Sequence, residues 1–292
     1  MMSSGNALVV GEKGLFLTYD AGGDEWSAPR AIECGAAACT LSAYNKSSST
    51  GADLHGVRFK DAVNGLVVGV GALVLVTSDG GESFTPAADK IAGGVRPDLV
   101  AIDMEGILGR MVVAGARGAA FLVEPFVADP QNSDAIDFRW EACGGDGCAG
   151  EVPVAAGSFF TASDLLAVSL VDESNVLVGG RGGLVATHAG SGFKVCTVSG
   201  LASTHNVTGV YMATSQTMMI ATDGGAIFWS GDGGSTWEGR AQANLTGLSF
   251  LAMAGRNADD VSAGSRPAPS SLLCSLFAVL VTLASLAVAT LS

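Results

Sequence analysis

The sequence is poor in charged residues, which make up 15% of its 292 positions, and it has 15 Lys and Arg against 28 Asp and Glu. The net charge of −13 argues against a general nucleic-acid binder, because phosphates require a basic face. Only three histidines occur, and His55, His188 and His205 lack the spacing of metal ligands. We therefore expect neither a metal nor a cofactor.

The sequence is instead rich in small and apolar residues. Hydrophobic residues reach 48% and glycines number 41, which excludes a disordered chain and allows a sizeable core. Abundant Gly, Val, Ala and Thr favour a turn-rich, all-β protein over a helical one.

The two ends give conflicting signals. Residues 272–291 form an uncharged apolar tail long enough to cross a bilayer as a helix, after a polar linker at 256–271. Small residues, a spacer and a terminal apolar tail are typical of a GPI-attachment signal, with Ser262 as the expected attachment residue and Gly264 or Asn257 as alternatives. A retained transmembrane helix is the other interpretation. The N-terminus has no signal-peptide pattern, so either the start is too late or the chain is anchored by its tail from the cytosol.

Cysteines and glycosylation sequons favour the secretory pathway. Two pairs share the spacing C-x4-C in short Gly/Ala-rich loops, which predicts local disulfides, with a zinc site as the alternative. The paired cysteines are Cys34, Cys39, Cys143 and Cys148, while Cys196 has no partner and Cys274 lies in the tail. The N-x-[ST] sequons are at Asn45, Asn206 and Asn244.

Five internal repeats organise residues 1–255. Each has an apolar run, a glycine turn and a second apolar run, and four follow a further apolar run, which predicts about four antiparallel strands per repeat. The repeats begin at Asn6, Asn64, Arg110, Asn175 and Thr217. Radially repeated four-stranded units predict a β-propeller of five blades, or a truncated form of six or seven. The first repeat lacks its first strand, and we expect the run Leu245–Ala254 to supply it and close the ring.

Two turns carry a shared motif, S/T-x-D-x-G-x-S/T-W/F. It is formed by Asp79, Gly81 and Phe84 in the second repeat, and by Asp232, Gly234 and Trp237 in the fifth. The motif resembles the Asp-box, or BNR repeat, of the sialidase/sortilin-like superfamily, and the whole blade resembles the photosystem II assembly/stability factor family. The first repeat has a longer version with Asp20 and Trp26, and the third offers only Phe138 or Trp140 as a later aromatic residue. We expect the Asp to hold the turn and the aromatic residue to pack between sheets.

The resemblance implies two alternative functions besides simple binding. One is an assembly chaperone for photosystem II in a thylakoid lumen, which would require a transit peptide. The other is a glycoside hydrolase, which needs paired carboxylates. Candidate carboxylates on blade loops are Asp103, Glu105, Asp172, Glu173 and Asp223. The motifs of sialidases are not evident, and the only tyrosines are Tyr19, Tyr44 and Tyr211.

One set of residues points to a binding face. The residues before the aligned turn glycines are Lys13, Val70, Arg117, Arg181 and Asp223. Three cations on one face of an acidic ring favour binding of an acidic peptide or glycan. We therefore predict a non-catalytic, membrane-tethered recognition or scaffold module for a protein or glycan partner, at the cell surface or in the secretory pathway.

Overall fold

A computed structural model describes residues 7–20, 23–35, 39–87, 96–105, 109–129, 132–144, 147–148, 163–172, 174–189 and 192–240. The predicted linker and tail, the attachment candidate Ser262 and the expected closing run Leu245–Ala254 lie outside this part. In the ranges just given, no helix has the length and apolar character needed to cross a membrane.

The described chain folds into five successive antiparallel sheets. The first contains β1 (Ala7–Val10), β2 (Leu15–Asp20), β3 (Glu25–Trp26), β4 (Arg30–Cys34) and β5 (Cys39–Ala43). The second contains β6 (Leu54–Phe59), β7 (Gly65–Gly69), β8 (Leu73–Thr77) and β9 (Thr85–Pro86). The third contains β10 (Leu99–Met104), β11 (Met111–Gly115), β12 (Ala120–Asp129), β13 (Asn132–Gly144) and β14 (Gly147–Cys148). The fourth contains β15 (Leu165–Asp172), β16 (Asn175–Gly180), β17 (Val185–Ala189) and β18 (Phe193–Val195). The fifth contains β19 (Val207–Met212), β20 (Met218–Thr222), β21 (Ile227–Ser230) and β22 (Glu238–Gly239).

A tight two-residue turn joins the second and third strand positions of the first four sheets. Both turn residues have φ between +54° and +76°, as a type I′ hairpin requires. The turns are Lys13–Gly14, Gly71–Ala72, Arg117–Gly118 and Gly182–Gly183. The predicted glycine hairpins are therefore present, although Lys13, Ala72 and Arg117 adopt a left-handed conformation without being glycine.

Alternation along the strands gives each sheet two apolar faces. In the second sheet, Val67 and Leu75 pack towards the first sheet, whereas Leu66, Val68 and Val74 pack towards the third. The same alternation joins the third sheet to the fourth and the fourth to the fifth. Burial of both faces explains why these strands are continuous apolar runs. We call the two surfaces of a sheet its preceding face and its following face.

The first strands β6, β10, β15 and β19 contact one another in succession, so they form the inner side of the array. The first sheet has no strand at this inner position within the described residues, and its order begins at β1. By its place before the shared turn, β1 corresponds to the second strand β7.

Two sheets have five strands instead of the four expected for each repeat. The added hairpin of the first sheet, β4–β5, carries a disulfide between Cys34 and Cys39. In the third sheet β12 and β13 form a long hairpin, and Cys143 and Cys148 are backbone partners across β13 and β14. The two C-x4-C segments therefore both lie on hairpins. The predicted disulfide is present at Cys34–Cys39, and the side chains of Cys143 and Cys148 lie outside the described part.

Candidate functional site

The turn from Thr77 to Ser83 is held by a compact set of polar contacts. Asp79 Oδ1 accepts hydrogen bonds from the Thr77 hydroxyl at 2.7 Å and from the Ser83 backbone N–H at 2.9 Å. Its Oδ2 accepts one from the Ser83 hydroxyl at 2.5 Å. Gly81, at φ +94°, comes so close to Phe16 of the first sheet that a Cβ would lie 2.9 Å from the ring. Hydrogen bonds within the turn thus hold its conformation, and the glycine at position 81 allows the first sheet to pack closely against it.

The turn in the fifth sheet repeats this arrangement. Asp232 accepts from the Thr236 backbone N–H at 2.8 Å and from its hydroxyl at 2.6 Å. The Ser230 hydroxyl donates to Asp232 at 2.9 Å and accepts the N–H of Gly234 at 2.9 Å. The Trp237 indole N–H then donates to the Gly234 carbonyl at 3.1 Å.

These contacts favour the ionised form of both aspartates. Burial alone raises the pKa of Asp79, but hydrogen bonds from Ser83 and Thr77 outweigh it, so its pKa lies below the ordinary 3.8. Hydrogen bonds from the Thr236 hydroxyl and backbone hold the pKa of Asp232 below 3.8. Each carboxylate accepts its hydrogen bonds from residues of its own turn, as expected of a residue that maintains the fold.

The aromatic residues of the motif behave differently in different sheets. Phe84 and Trp237 are 3% and 7% exposed, and Phe84 packs edge-on against Phe16 at 5.3 Å. Trp26 in the first sheet is 52% exposed, so the expected packing between sheets does not occur there. In the part of the chain that the structure describes, no other sheet lies against its face. In the third sheet, Trp140 packs edge-on against Phe121. The side chains of Asp20 and Phe138 lie outside the described part.

A contact that sequence reasoning missed links the sheets at the tight turns. An Asp or Asn immediately precedes the first strand of each of the last four sheets, and its side chain accepts the N–H of the first residue of the preceding sheet's two-residue turn. We call this contact the Asx clasp. The four clasps are Asp53 with Lys13 at 2.8 Å, Asp98 with Gly71 at 2.8 Å, Asp164 with Arg117 at 2.9 Å and Asn206 with Gly182 at 3.2 Å.

Each clasp residue also binds its own sheet. The carbonyls of Asp53, Asp98, Asp164 and Asn206 accept a backbone N–H from the residue directly before the turn of their own sheet, at 2.8–3.0 Å. The donors are Val70, Ala116, Arg181 and Asp223. One residue therefore bridges two successive turns. The available signal was an Asx residue directly before each inner apolar run, such as Asp98–Leu99.

The clasps show that the three predicted cations are not equivalent. Lys13 and Arg117 occupy the first position of the two-residue turn, where the second and fourth sheets have Gly71 and Gly182. Arg181 directly precedes that turn, and its N–H donates to the Asp164 carbonyl. The sequence alignment on glycine therefore placed the two types of position in one column, one residue out of register.

The cations nevertheless lie at the same end of the array. Arg181 Nε is 2.8 Å from Asp164 Oδ2, and the Arg117 N–H binds Oδ1 of the same carboxylate. The two arginines therefore flank one aspartate, and the Arg117 side chain is exposed, with no ion pair among the described residues. Lys13 Nζ donates to the Lys46 carbonyl at 2.7 Å, at the turn of the first sheet.

The candidate catalytic carboxylates with described contacts are engaged by neighbouring groups of the fold. Asp103 pairs with Arg58 at 3.2 Å and accepts the Leu170 N–H. Asp172 caps its own β15–β16 turn, and Asp223 accepts from Asn206. Glu105 is buried, and Glu173 lies outside the described part.

Histidines and cysteines form no metal centre in the part of the chain that the structure describes, where no three metal-binding side chains come together. His55 contacts the Leu99 carbonyl, His188 packs on Phe193 and His205 lies 3.6 Å from Asp223. Cys196 is a free, partly buried thiol.

Comparisons with known proteins support the fold. No family model matches the chain, and no curated protein matches it. The RRP9 WD40 repeats share 14% identity with a TM-score of 0.52, covering 87% of this chain and 67% of that one. YCF48 from Cyanidioschyzon merolae has 16% identity and a TM-score of 0.48, covering 88% of both chains. YCF48 bound to D1 peptide has 15% identity and a TM-score of 0.45, covering 86% and 82%. At these identities the likeness concerns the fold, and the predicted β-propeller is confirmed at that level.

Proposed function

We propose that this chain is a non-catalytic, Asp-box-type propeller module that recognises an acidic protein segment at the end of the array carrying the tight turns. Arg117 and Arg181 form the centre of the binding surface, and Lys13 extends it at the first sheet. We call these three residues the turn cations.

The supporting observation is the backbone conformation of two turn cations. Lys13 and Arg117 have φ +54° and +58° at a position where other sheets use glycine. A left-handed conformation costs a non-glycine residue about 1–2 kcal/mol. Glycine at this position satisfies the fold in the second and fourth sheets, so the fold itself does not explain the long basic side chains. Binding does, since strained residues are concentrated at functional sites.

The electrostatics of the surface fit a flexible anionic ligand. The Arg181 guanidinium is already paired with Asp164, although its side chain is 64% exposed. Arg117 lies beside it without an ion pair in the described residues, so it is free to engage a carboxylate with two parallel hydrogen bonds. In a protein of net charge −13, such a surface attracts an acidic segment locally while the remainder repels it. An acidic partner is therefore directed to the turn cations, because the rest of the acidic surface repels it.

Binding can be measured with an array of fluorescent Glu/Asp-rich nonapeptides, using anisotropy at low and moderate salt. Lys13→Gly and Arg117→Gly remove the cations while keeping the turn geometry, and Arg181→Ala removes the third. We expect the triple variant to lose at least tenfold in affinity, and salt to weaken the native complex. Lys194→Ala, an exposed cation on β18, is the matched control.

Affinity that is unchanged in the triple variant, or lowered equally by Lys194→Ala, would contradict the proposal. A sulfated glycan panel in the same assay distinguishes a glycan ligand. Hydrolysis of such glycans, lost on substitution of a carboxylate such as Asp103, would instead support a glycoside hydrolase. Dependence of photosystem II assembly on the chain in a phototroph would support the chaperone role.

We further propose that the apolar segment 272–291 tethers the propeller to a membrane, through a GPI anchor attached at Ser262. Its uncharged length and the small residues before the spacer support this. Phospholipase C should release the protein from intact cells, with a C-terminus at Ser262. An intact tail that stays in the membrane fraction would instead indicate a retained helix.

A further inference from the structure

The sheet junctions follow one rule of register. Counting back from the two-residue turn, the fourth residue before it in the second strand belongs to the preceding face. In the second to fifth sheets this residue is fully buried against the sheet before it, at 0% exposure. These residues are Val67, Val113, Val178 and Ile220.

The first sheet breaks the rule, because no sheet among the described residues lies against its preceding face. Val9 occupies the same register position and is 43% exposed. Trp26 lies on the same face, opposite Tyr19 across β2 and β3, and is 52% exposed where Phe84 and Trp237 are buried. Val9 and Trp26 thus mark an apolar sheet surface open to solvent.

The fifth sheet breaks the rule on its following face. Met219 and Ile227 are partly exposed, whereas the residues in register with them in the second sheet, Leu66 and Val74, are both 0% exposed. Trp229 belongs to the same face and is partly exposed, and the Arg240 guanidinium lies 5.2 Å from its ring centre. Among the described residues, the preceding face of the first sheet is therefore exposed, and the following face of the fifth sheet is less buried than that of the second.

We propose that a second copy of this chain occupies the open face of the first sheet with the following face of its own fifth sheet. The four internal junctions show that these two face types fit each other. At the first junction the motif residue Phe84 packs on Phe16. The residue in register with Phe16 in the fifth sheet is Ile227, so Trp26 of one copy packs on Ile227 of the other.

The interface joins two different surfaces, so it is heterologous, and a dimer keeps one unused face of each kind. Association is therefore head-to-tail. The competing arrangement is a ring in which the chain's own fifth sheet covers Val9 and Trp26, but both side chains are exposed in the structure.

The test uses the full chain in mild detergent and measures its mass by sedimentation velocity over a range of concentrations. Val9→Arg disables the first face and Ile227→Arg disables the second. We expect the native chain to form concentration-dependent oligomers, and each variant alone to be monomeric. An equimolar mixture of the two variants retains one working interface and should give a dimer and nothing larger. Val195→Arg, at a valine of β18 that is 57% exposed, should leave association unchanged.

Two further results keep the outcome decisive. Trp26→Ala removes an exposed side chain and should preserve folding while raising the dissociation constant roughly 30-fold, as expected for a truncated tryptophan at an interface. A native chain that stays monomeric at all concentrations, or a variant mixture that stays monomeric while both variants remain folded, would overturn the proposal and favour closure within one chain.

Discussion

The carboxylate of Asp164 links the third and fourth sheets, because the backbone N–H of Arg117 donates to its Oδ1 at 2.9 Å. Arg117 lies in the tight turn of the third sheet, and Asp164 directly precedes the first strand of the fourth. The same relationship recurs at the other described junctions, with Asn in place of Asp at the last. Since the hydrophobic faces provide little directional constraint, the clasps set the relative position of successive sheets.

Removing a clasp should destabilise the fold. Asp98 is the cleanest test, because its side chain is exposed and accepts the Gly71 N–H at 2.8 Å. Asp98→Ala should lower the free energy of unfolding by about 0.5–1.5 kcal/mol, the range for a typical hydrogen bond, because solvent screens the exposed carboxylate. Asp98→Asn keeps an acceptor and should recover most of this loss. Urea unfolding of the three proteins measures it, and equal stability of all three would show that the clasp is dispensable.

The two motif turns predict a loss of stability in acid. Both Asp79 and Asp232 have a pKa below 3.8 in the folded state. The unfolded chain therefore takes up these protons first as pH falls, so the stabilisation is complete above pH 3.8 and is lost as pH drops through the lowered values. Asp79→Asn should be less stable than the native chain at neutral pH, with the gap closing at low pH.

Unfolding free energies measured across the acid range test this sign. Glu12→Gln, a change at an exposed carboxylate outside these turns, is the matched control and should shift stability little at any pH. A gap between Asp79→Asn and the native chain that widens with acid would contradict the assignment of Asp79 as an ionised turn residue.

Strand pairing could be predicted from the sequence, because apolar runs and glycine turns are local signals. The type I′ turn at Gly182–Gly183 and the motif turn around Asp232 follow from residue types alone. The clasps were not predicted, because Asp53 and Lys13 lie 40 residues apart and only the fold brings them together. The exposure of Trp26 was also missed, because a motif does not show whether a neighbouring sheet is present.

The structure separates two sequons that look alike in sequence. Asn206 Nδ2 donates to Asp223 Oδ2 at 2.8 Å and its Oδ1 accepts from Gly182, so a glycan on this nitrogen would disturb a clasp. Asn45 is exposed, and its Oδ1 accepts the Ser47 N–H. Expressed in a glycosylating host behind a signal peptide, the chain should lose a glycoform with Asn45→Gln. Asn206→Gln should leave the glycoforms unchanged and lower the melting temperature; a glycoform lost with Asn206→Gln would contradict this.

At position 117 we expect stability and binding to favour different residues, since glycine suits the left-handed backbone and arginine supplies the cation. Arg117→Gly relieves the strain at φ +58° and should be more stable than Arg117→Ala by about 1 kcal/mol, since alanine keeps the conformational penalty. Both substitutions should weaken binding of the acidic peptides, because both remove the guanidinium. Thermal unfolding and anisotropy on the same samples separate the two effects. If glycine were no more stable than alanine, strain would not distinguish Arg117 from its neighbours, and its role in binding would rest on the peptide measurements alone.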